Sequence, residues 1–149
     1  MMKFLVILAA LCVIAQANKV DELKTKLNEY SKIIDGIRSE QIKRGIDIIV
    51  QKKQLAKEAK GDEAVRCVEL EGNRYLLKLE TNNVDSTEQI NKKLQGYQDA
   101  LKNGKIDEVE TAVKDTLQKE VESVLTKLQA KGESITLEYV RIANKCRGV

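Results

Sequence analysis

An apolar stripe near the N-terminus constrains this chain more than any other feature of its sequence. At alternating steps of three and four residues it contains Val20, Leu23, Leu27, Tyr30, Ile34 and Ile37. This spacing places all six side chains on one side of an α-helix, as in a coiled coil or an antiparallel helical bundle. Because such a stripe is unstable in water by itself, we expect the rest of the chain to cover it.

The apolar pattern continues beyond Ile37 but changes phase near Ser39. It resumes with a second set of apolar residues, which are Ile42, Ile46, Ile49, Val50 and Leu55. A phase change rotates the apolar side of a helix, so residues 20–59 are predicted to form one long bent helix or two helices joined near 37–40. What covers the second set is not evident from its pattern. We therefore interpret these five residues as a candidate ligand-binding or interaction surface.

A second helix is predicted after Gly61, because glycine commonly ends a helix. Its central part, 65–80, also alternates with period two around Gly72-Asn73, which would suit a β-hairpin. A helix is the favoured interpretation, since an isolated hairpin among helices is only marginally stable.

Two more helices and a helical tail complete the predicted pattern. The asparagine pair at 82–83 is expected to break the chain before a third helix that ends near Gly104. A fourth helix is predicted to start near Asp107 and to end at Gly132. The remaining segment, 134–146, is predicted to be a short helix, and the third and fourth helices are expected to cover the first stripe.

The first 17 residues have the features of a secretory signal peptide. A basic start at Lys3 precedes an apolar run over 4–14 and the small-x-small motif of 15–17. An apolar run of eleven residues is shorter than the roughly 20 residues that span a bilayer. We therefore expect cleavage before Asn18, an extracellular location and no stable membrane anchoring, with 18–149 as a single helical domain.

Two cysteines, Cys67 and Cys146, remain after this cleavage. In an exported chain an even number of cysteines favours disulfide bonding, so we predict one intramolecular disulfide between them. Two free thiols or bridges between chains are the alternatives.

Several kinds of site are disfavoured by composition. The chain has no histidine, which removes imidazole bases, His-dependent triads and His-ligated metals. Without Lys3 the balance is 25 basic against 23 acidic residues, which gives no electrostatic reason to expect nucleic acid. We therefore predict no metal, no cofactor and no enzymatic activity.

Together these patterns predict an all-α fold: an antiparallel bundle of about four main helices, a short C-terminal helix and one disulfide. The predicted function is that of a secreted, non-enzymatic binding or interaction protein of an extracellular fluid or secretion. Its partner would be an unidentified protein or an apolar small molecule. One alternative is a carrier of lipid or another apolar ligand. A second is a self-associating coiled-coil protein, a homo-oligomer in which the stripe at 20–37 pairs between chains.

Overall fold

A computed structural model of the chain describes the backbone of residues 2–149 and the side chains of residues 9–149. Its helices are α1 (Met2–Lys60), α2 (Asp62–Lys102), α3 (Ile106–Asp115) and α4 (Leu117–Arg147). No β-strand occurs in the described backbone, and Cys67 is disulfide-bonded to Cys146. The predicted all-α class with its intramolecular disulfide is confirmed.

The segment that carries the first stripe is one helix, since α1 continues through residues 37–40 without a break. It ends at Lys60. The next residue, Gly61, has a φ of +72°, a backbone conformation that glycine adopts without steric cost. The Gly61 N–H donates to the Lys57 carbonyl at 3.1 Å. The next helix begins at once with Asp62 and Glu63 in its first turn, where acidic side chains are stabilised by the helix dipole.

The breaks predicted at 82–83 and at Gly132 are wrong. Residues 82–83 lie inside α2, where Asn82 and Asn83 are buried and donate hydrogen bonds to carbonyls of neighbouring helices. Gly132 lies inside α4, which therefore continues through the tail segment to Arg147. Residues 134–146 are helical as predicted, but they form the last part of α4.

The fourth predicted helix is divided at Thr116, so that the short helix of the fold is α3. Thr116 has φ −123° and ψ −36°, which departs from regular helical geometry, and its N–H still donates to the Ala112 carbonyl at 3.1 Å. The apolar pattern continues across this point because Val109 and Leu117 are both buried.

The chain forms two compact units. The first contains the described residues up to Ile33 together with Gln89–Val121. Its buried side chains are those of Leu23, Leu27, Tyr30, Ile90, Leu94, Leu101, Val109, Ala112, Leu117 and Val121. A hydrogen bond of 3.1 Å from Gln98 to Asn28 joins α2 to α1, in agreement with the cover expected for the first stripe.

The second unit contains Ile34–Glu88 and Glu122–Val149. Within it α1 and α2 are antiparallel, because Lys53 contacts Glu69 at one end and Asn83 contacts Arg38 at the other. Its core is built from alanine, aliphatic and tyrosine side chains of three helices: Ala56, Ala64, Val68, Tyr75, Leu79, Tyr139 and Ala143.

The predicted signal peptide begins α1, and the side chains of its residues 1–8 lie outside the described residues. Leu11, Val13 and Ile14 are 57–66% exposed. In the described part of the chain, no helix carries an apolar stretch long enough to cross a membrane.

Candidate binding site

The candidate surface predicted on α1 divides between core and solvent. Ile42 and Ile49 are half-buried and contact the core of the second unit. Ile46 and Val50 are 46% and 60% exposed, and Leu55 is half-buried. The five residues therefore do not share one continuous face.

A groove between α1 and α2 brings together two of the predicted residues, Ile42 and Ile46. It has a volume of about 740 Å³ and is lined on the α2 side by Glu80, Asn83 and Val84. Val84 is 53% exposed and is not among the residues predicted from the sequence. Val84 and Ile46 line the same groove, which becomes evident only when the register of α1 on α2 is known.

Ile49 instead lies at a close approach of α1 to α2. A Cβ atom added to Gly72 would lie 3.0 Å from Ile49 Cγ2 and 3.1 Å from its Cδ1. Gly72 therefore permits a tight contact between two helices, and it is not part of a hairpin turn.

A second cavity, which the sequence did not predict, lies between α1, α2 and α4 of the second unit. Its volume is about 410 Å³. It is lined by Ile37, Glu40, Gln41, Arg44, Tyr75, Leu79, Gln129, Gly132, Glu133, Thr136 and Leu137. Tyr75 and Leu79 are buried in its wall, whereas Leu137 is 60% exposed.

One wall of this cavity is formed by the Gln41 carboxamide against Gly132. Gln41 Nε2 donates to the Leu128 carbonyl at 3.2 Å, and Asn82 Nδ2 donates to the same oxygen at 3.3 Å. A Cβ atom at Gly132 would lie 2.8 Å from Gln41 Nε2. Gln41 Oε1 is buried and accepts no hydrogen bond from the described residues. A glycine in the middle of the amphipathic α4 was the available sequence signal for this contact.

A chain of hydroxyl groups forms another part of the wall. The Thr136 hydroxyl donates to the Gly132 carbonyl at 2.9 Å, and Thr136 Oγ1 lies 2.9 Å from the Tyr75 hydroxyl. Because Thr136 has only one hydroxyl hydrogen, Tyr75 is the donor of the second bond. The Tyr75 oxygen is left as an acceptor.

The rim of the cavity carries three charged side chains, Glu40, Arg44 and Glu133. All three are exposed. Within the described residues none of them has an oppositely charged group inside the 4.0 Å of an ion pair. Two carboxylates and one guanidinium give the rim a net negative charge.

Tyr139 packs behind the cavity. Burial raises the pKa of its hydroxyl to about 12, and electrostatic interactions with Tyr75 and Glu71 contribute.

In the first unit the pKa of Glu110 is lowered by hydrogen bonds from Lys114 and Lys19. These latter groups lie at the exposed surface, where ion pairs contribute little to stability.

No cluster of three or more His, Cys, Asp or Glu in the described part of the chain is arranged to hold a metal ion.

No protein-family model, curated protein or solved structure matches this chain.

Proposed function

We propose that this protein is a secreted, non-enzymatic binding protein that holds a small molecule in the cavity between α1, α2 and α4. The observation that carries the proposal is the cavity itself. Its volume of about 410 Å³ falls within the range of roughly 300–1,000 Å³ that is usual for small-molecule sites. Such sites combine an apolar interior with a few convergent polar groups, and Tyr75, Leu79 and Gln41 provide both.

Leu137 supports an apolar portion in the ligand. It lines the cavity and is 60% exposed, so a bound apolar group would remove its side chain from water. Burial of apolar area stabilises a complex by about 25 cal/mol per Å². The proposed function therefore combines two of the functions predicted from the sequence: a non-enzymatic binding protein and a carrier of an apolar ligand.

Two features support secretion. Leu11, Val13 and Ile14, in the described part of the apolar run that precedes the expected cleavage site, are exposed on α1. The disulfide between Cys67 and Cys146 is of the kind that persists in oxidising compartments.

Self-association through the stripe at 20–37 is not part of this proposal. Leu27 and Ile34 have no exposed surface within the single chain. Pairing this stripe with a second chain would therefore require the core to open.

Fluorescence titration with N-phenyl-1-naphthylamine tests the proposal. The mature protein is expected to give saturable one-to-one binding, and Gly132→Leu is expected to weaken it at least tenfold, because the new side chain displaces Gln41 into the cavity. Gly36→Leu is the matched control, since a Cβ atom at Gly36 meets nothing within 4 Å. Circular dichroism confirms that both variants fold.

A third variant, Ile46→Ala, removes an apolar side chain from the groove between α1 and α2 and leaves the cavity intact. We expect it to bind the probe as the native protein does. Absence of saturable binding to the native protein would contradict the proposal. Binding that Ile46→Ala weakens while Gly132→Leu does not would place the site in the groove.

A further inference from the structure

The polar groups of the cavity wall differ in what they leave for a ligand. Gln41 Nε2 donates to the Leu128 carbonyl, Thr136 donates to the Gly132 carbonyl, and Tyr75 donates to Thr136. Each of these side chains thus directs a donor toward the protein. The Tyr75 oxygen is left as an acceptor, and Gln41 Oε1 is buried and accepts no hydrogen bond from the described residues. Gln41 Nε2 keeps one further N–H, because a carboxamide nitrogen has two hydrogens.

The charges at the rim favour a cationic ligand. Glu40 and Glu133 provide two carboxylates and Arg44 one guanidinium, and none of them forms an ion pair in the described part of the chain. A cation that enters between the two carboxylates forms charge-assisted hydrogen bonds. An anion would meet one guanidinium and two like charges.

We propose that the ligand of this cavity is an amphipathic amine, with an apolar body and a protonated amino group. The apolar body would lie against Leu79 and Leu137, and the ammonium would donate hydrogen bonds to Glu40 and Glu133 at the rim. This inference rests on the proposed function, because it assigns the ligand chemistry of the same cavity.

Three eight-carbon probes with different head groups test the inference: n-octylamine, 1-octanol and octanoate. Isothermal titration calorimetry at pH 7 compares a cationic, a neutral and an anionic head group on the same apolar chain. We expect n-octylamine to bind at least tenfold more tightly than octanoate, with 1-octanol between them.

Glu133→Gln removes one carboxylate from the rim. It is expected to weaken n-octylamine binding about fivefold and to leave 1-octanol binding unchanged. Glu138→Gln is the matched control, since Glu138 lies on the same helix, is paired with Lys78 at 2.9 Å and does not line the cavity.

The outcomes separate this inference from the proposed function. Equal binding of the three probes, or tighter binding of octanoate, overturns the amine assignment and leaves the binding function standing. An equal loss of amine affinity in Glu133→Gln and Glu138→Gln also overturns it, because the effect would then come from overall charge. If none of the probes binds, and N-phenyl-1-naphthylamine does not bind either, both proposals fail.

Discussion

The ring of Tyr75 lies flat against the ring of Tyr139, with 4.5 Å between the ring centroids and 4° between the ring planes. The two residues come from α2 and α4, and both are at most 3% exposed. The Tyr139 hydroxyl donates to the Val68 carbonyl at 3.4 Å, while the Tyr75 hydroxyl is paired with Thr136. This stack fixes α4 on α2 and sets the position of the Tyr75 oxygen at the cavity wall.

Tyr139 is expected to make stability fall at alkaline pH. Burial raises the pKa of Tyr139 from 10.0 to about 12 in the folded protein, so the unfolded chain loses this proton at lower pH than the folded chain. The stabilisation is complete below pH 10 and is lost as the pH rises toward 12. Urea unfolding at pH 9 and pH 11 should show a smaller decrease in the free energy of unfolding for Tyr139→Phe than for the native protein.

Absorbance at 295 nm provides the corresponding titration. The native protein should contain a tyrosine that ionises about two pH units later than a tyrosine in a peptide, and Tyr139→Phe should lack it. Tyr97→Phe is the control and should keep the late titration. Loss of that titration in Tyr97→Phe, or its persistence in Tyr139→Phe, would show that the late-ionising group is a different one.

Alanine substitutions at two glycines are expected to change stability in opposite directions. Gly36 has open space around the position of a Cβ atom, so Gly36→Ala should stabilise α1 by about 1 kcal/mol through helix propensity alone. At Gly72 the new methyl group would meet Ile49 Cγ2 at 3.0 Å. Overpacking of about 1–3 kcal/mol should outweigh the gain of about 1 kcal/mol in helix propensity and destabilise the variant. Urea midpoints measure both effects. A stabilising Gly72→Ala would mean that α1 and α2 are not in close contact there.

Asn82→Asp is expected to destabilise the second unit strongly at neutral pH. Asn82 is 2% exposed, and its Nδ2 donates to the Leu128 carbonyl. A carboxylate would lose this donor and place a buried charge against a carbonyl oxygen, at a cost of about 3–5 kcal/mol. The cost should shrink at pH 4, because a protonated carboxyl group can again donate, and should grow as the pH rises above about 3.9.

Asn73→Asp provides the matched control, since it is the same chemical change at an exposed position of the same helix. Its effect on the urea midpoint should be small and nearly independent of pH. If both variants lose the same stability, Asn82 does not have the buried environment described above.

The fold class could be predicted because the apolar stripes are local in sequence. Leu23, Leu27 and Ile34 are buried as their spacing predicts. Asn82 and Gly132 were misread because their roles depend on partners remote in sequence. Asn82 bonds to a carbonyl 46 residues away, and Gly132 packs against Gln41 in the wall of the cavity. A local rule assigns asparagine and glycine to helix ends, whereas here a long-range contact decides.

The candidate site was predicted less completely than the fold. Ile42 and Ile46 line a groove, but the cavity on the other side of α1 is assembled from Gln41, Tyr75 and Thr136, which come from three helices. The sequence of a single helix contains no pattern that predicts this cavity, because each helix contributes only a few of the lining residues. The register between the helices determines which of these residues meet.

Secretion is expected to release a chain that begins at Asn18. The preceding residues end with the small-x-small motif of 15–17, which a signal peptidase recognises. Expression in a eukaryotic secretory host, followed by intact mass measurement and N-terminal sequencing of protein in the medium, tests this. Ala17→Arg should block cleavage and retain the protein in the cells. A secreted product that still contains Leu11 would contradict the assignment of 1–17 as a signal peptide.

Reduction of the Cys67–Cys146 disulfide is expected to destabilise the second unit. The bond joins residues that are 79 positions apart, for which the chain-entropy model gives an upper value of about 4 kcal/mol, with about 2–4 kcal/mol typical. Dithiothreitol should therefore lower the urea midpoint of the native mature protein, and the double variant Cys67→Ser/Cys146→Ser should have the low midpoint with or without reductant.

Cys146 is half-buried beside the core that contains Tyr139, so loosening α4 at this end should also loosen the stack of Tyr75 and Tyr139 behind the cavity. The late tyrosine titration should then move toward pH 10 in the double variant. Unchanged unfolding and titration after complete reduction would show that packing alone holds α4 in place.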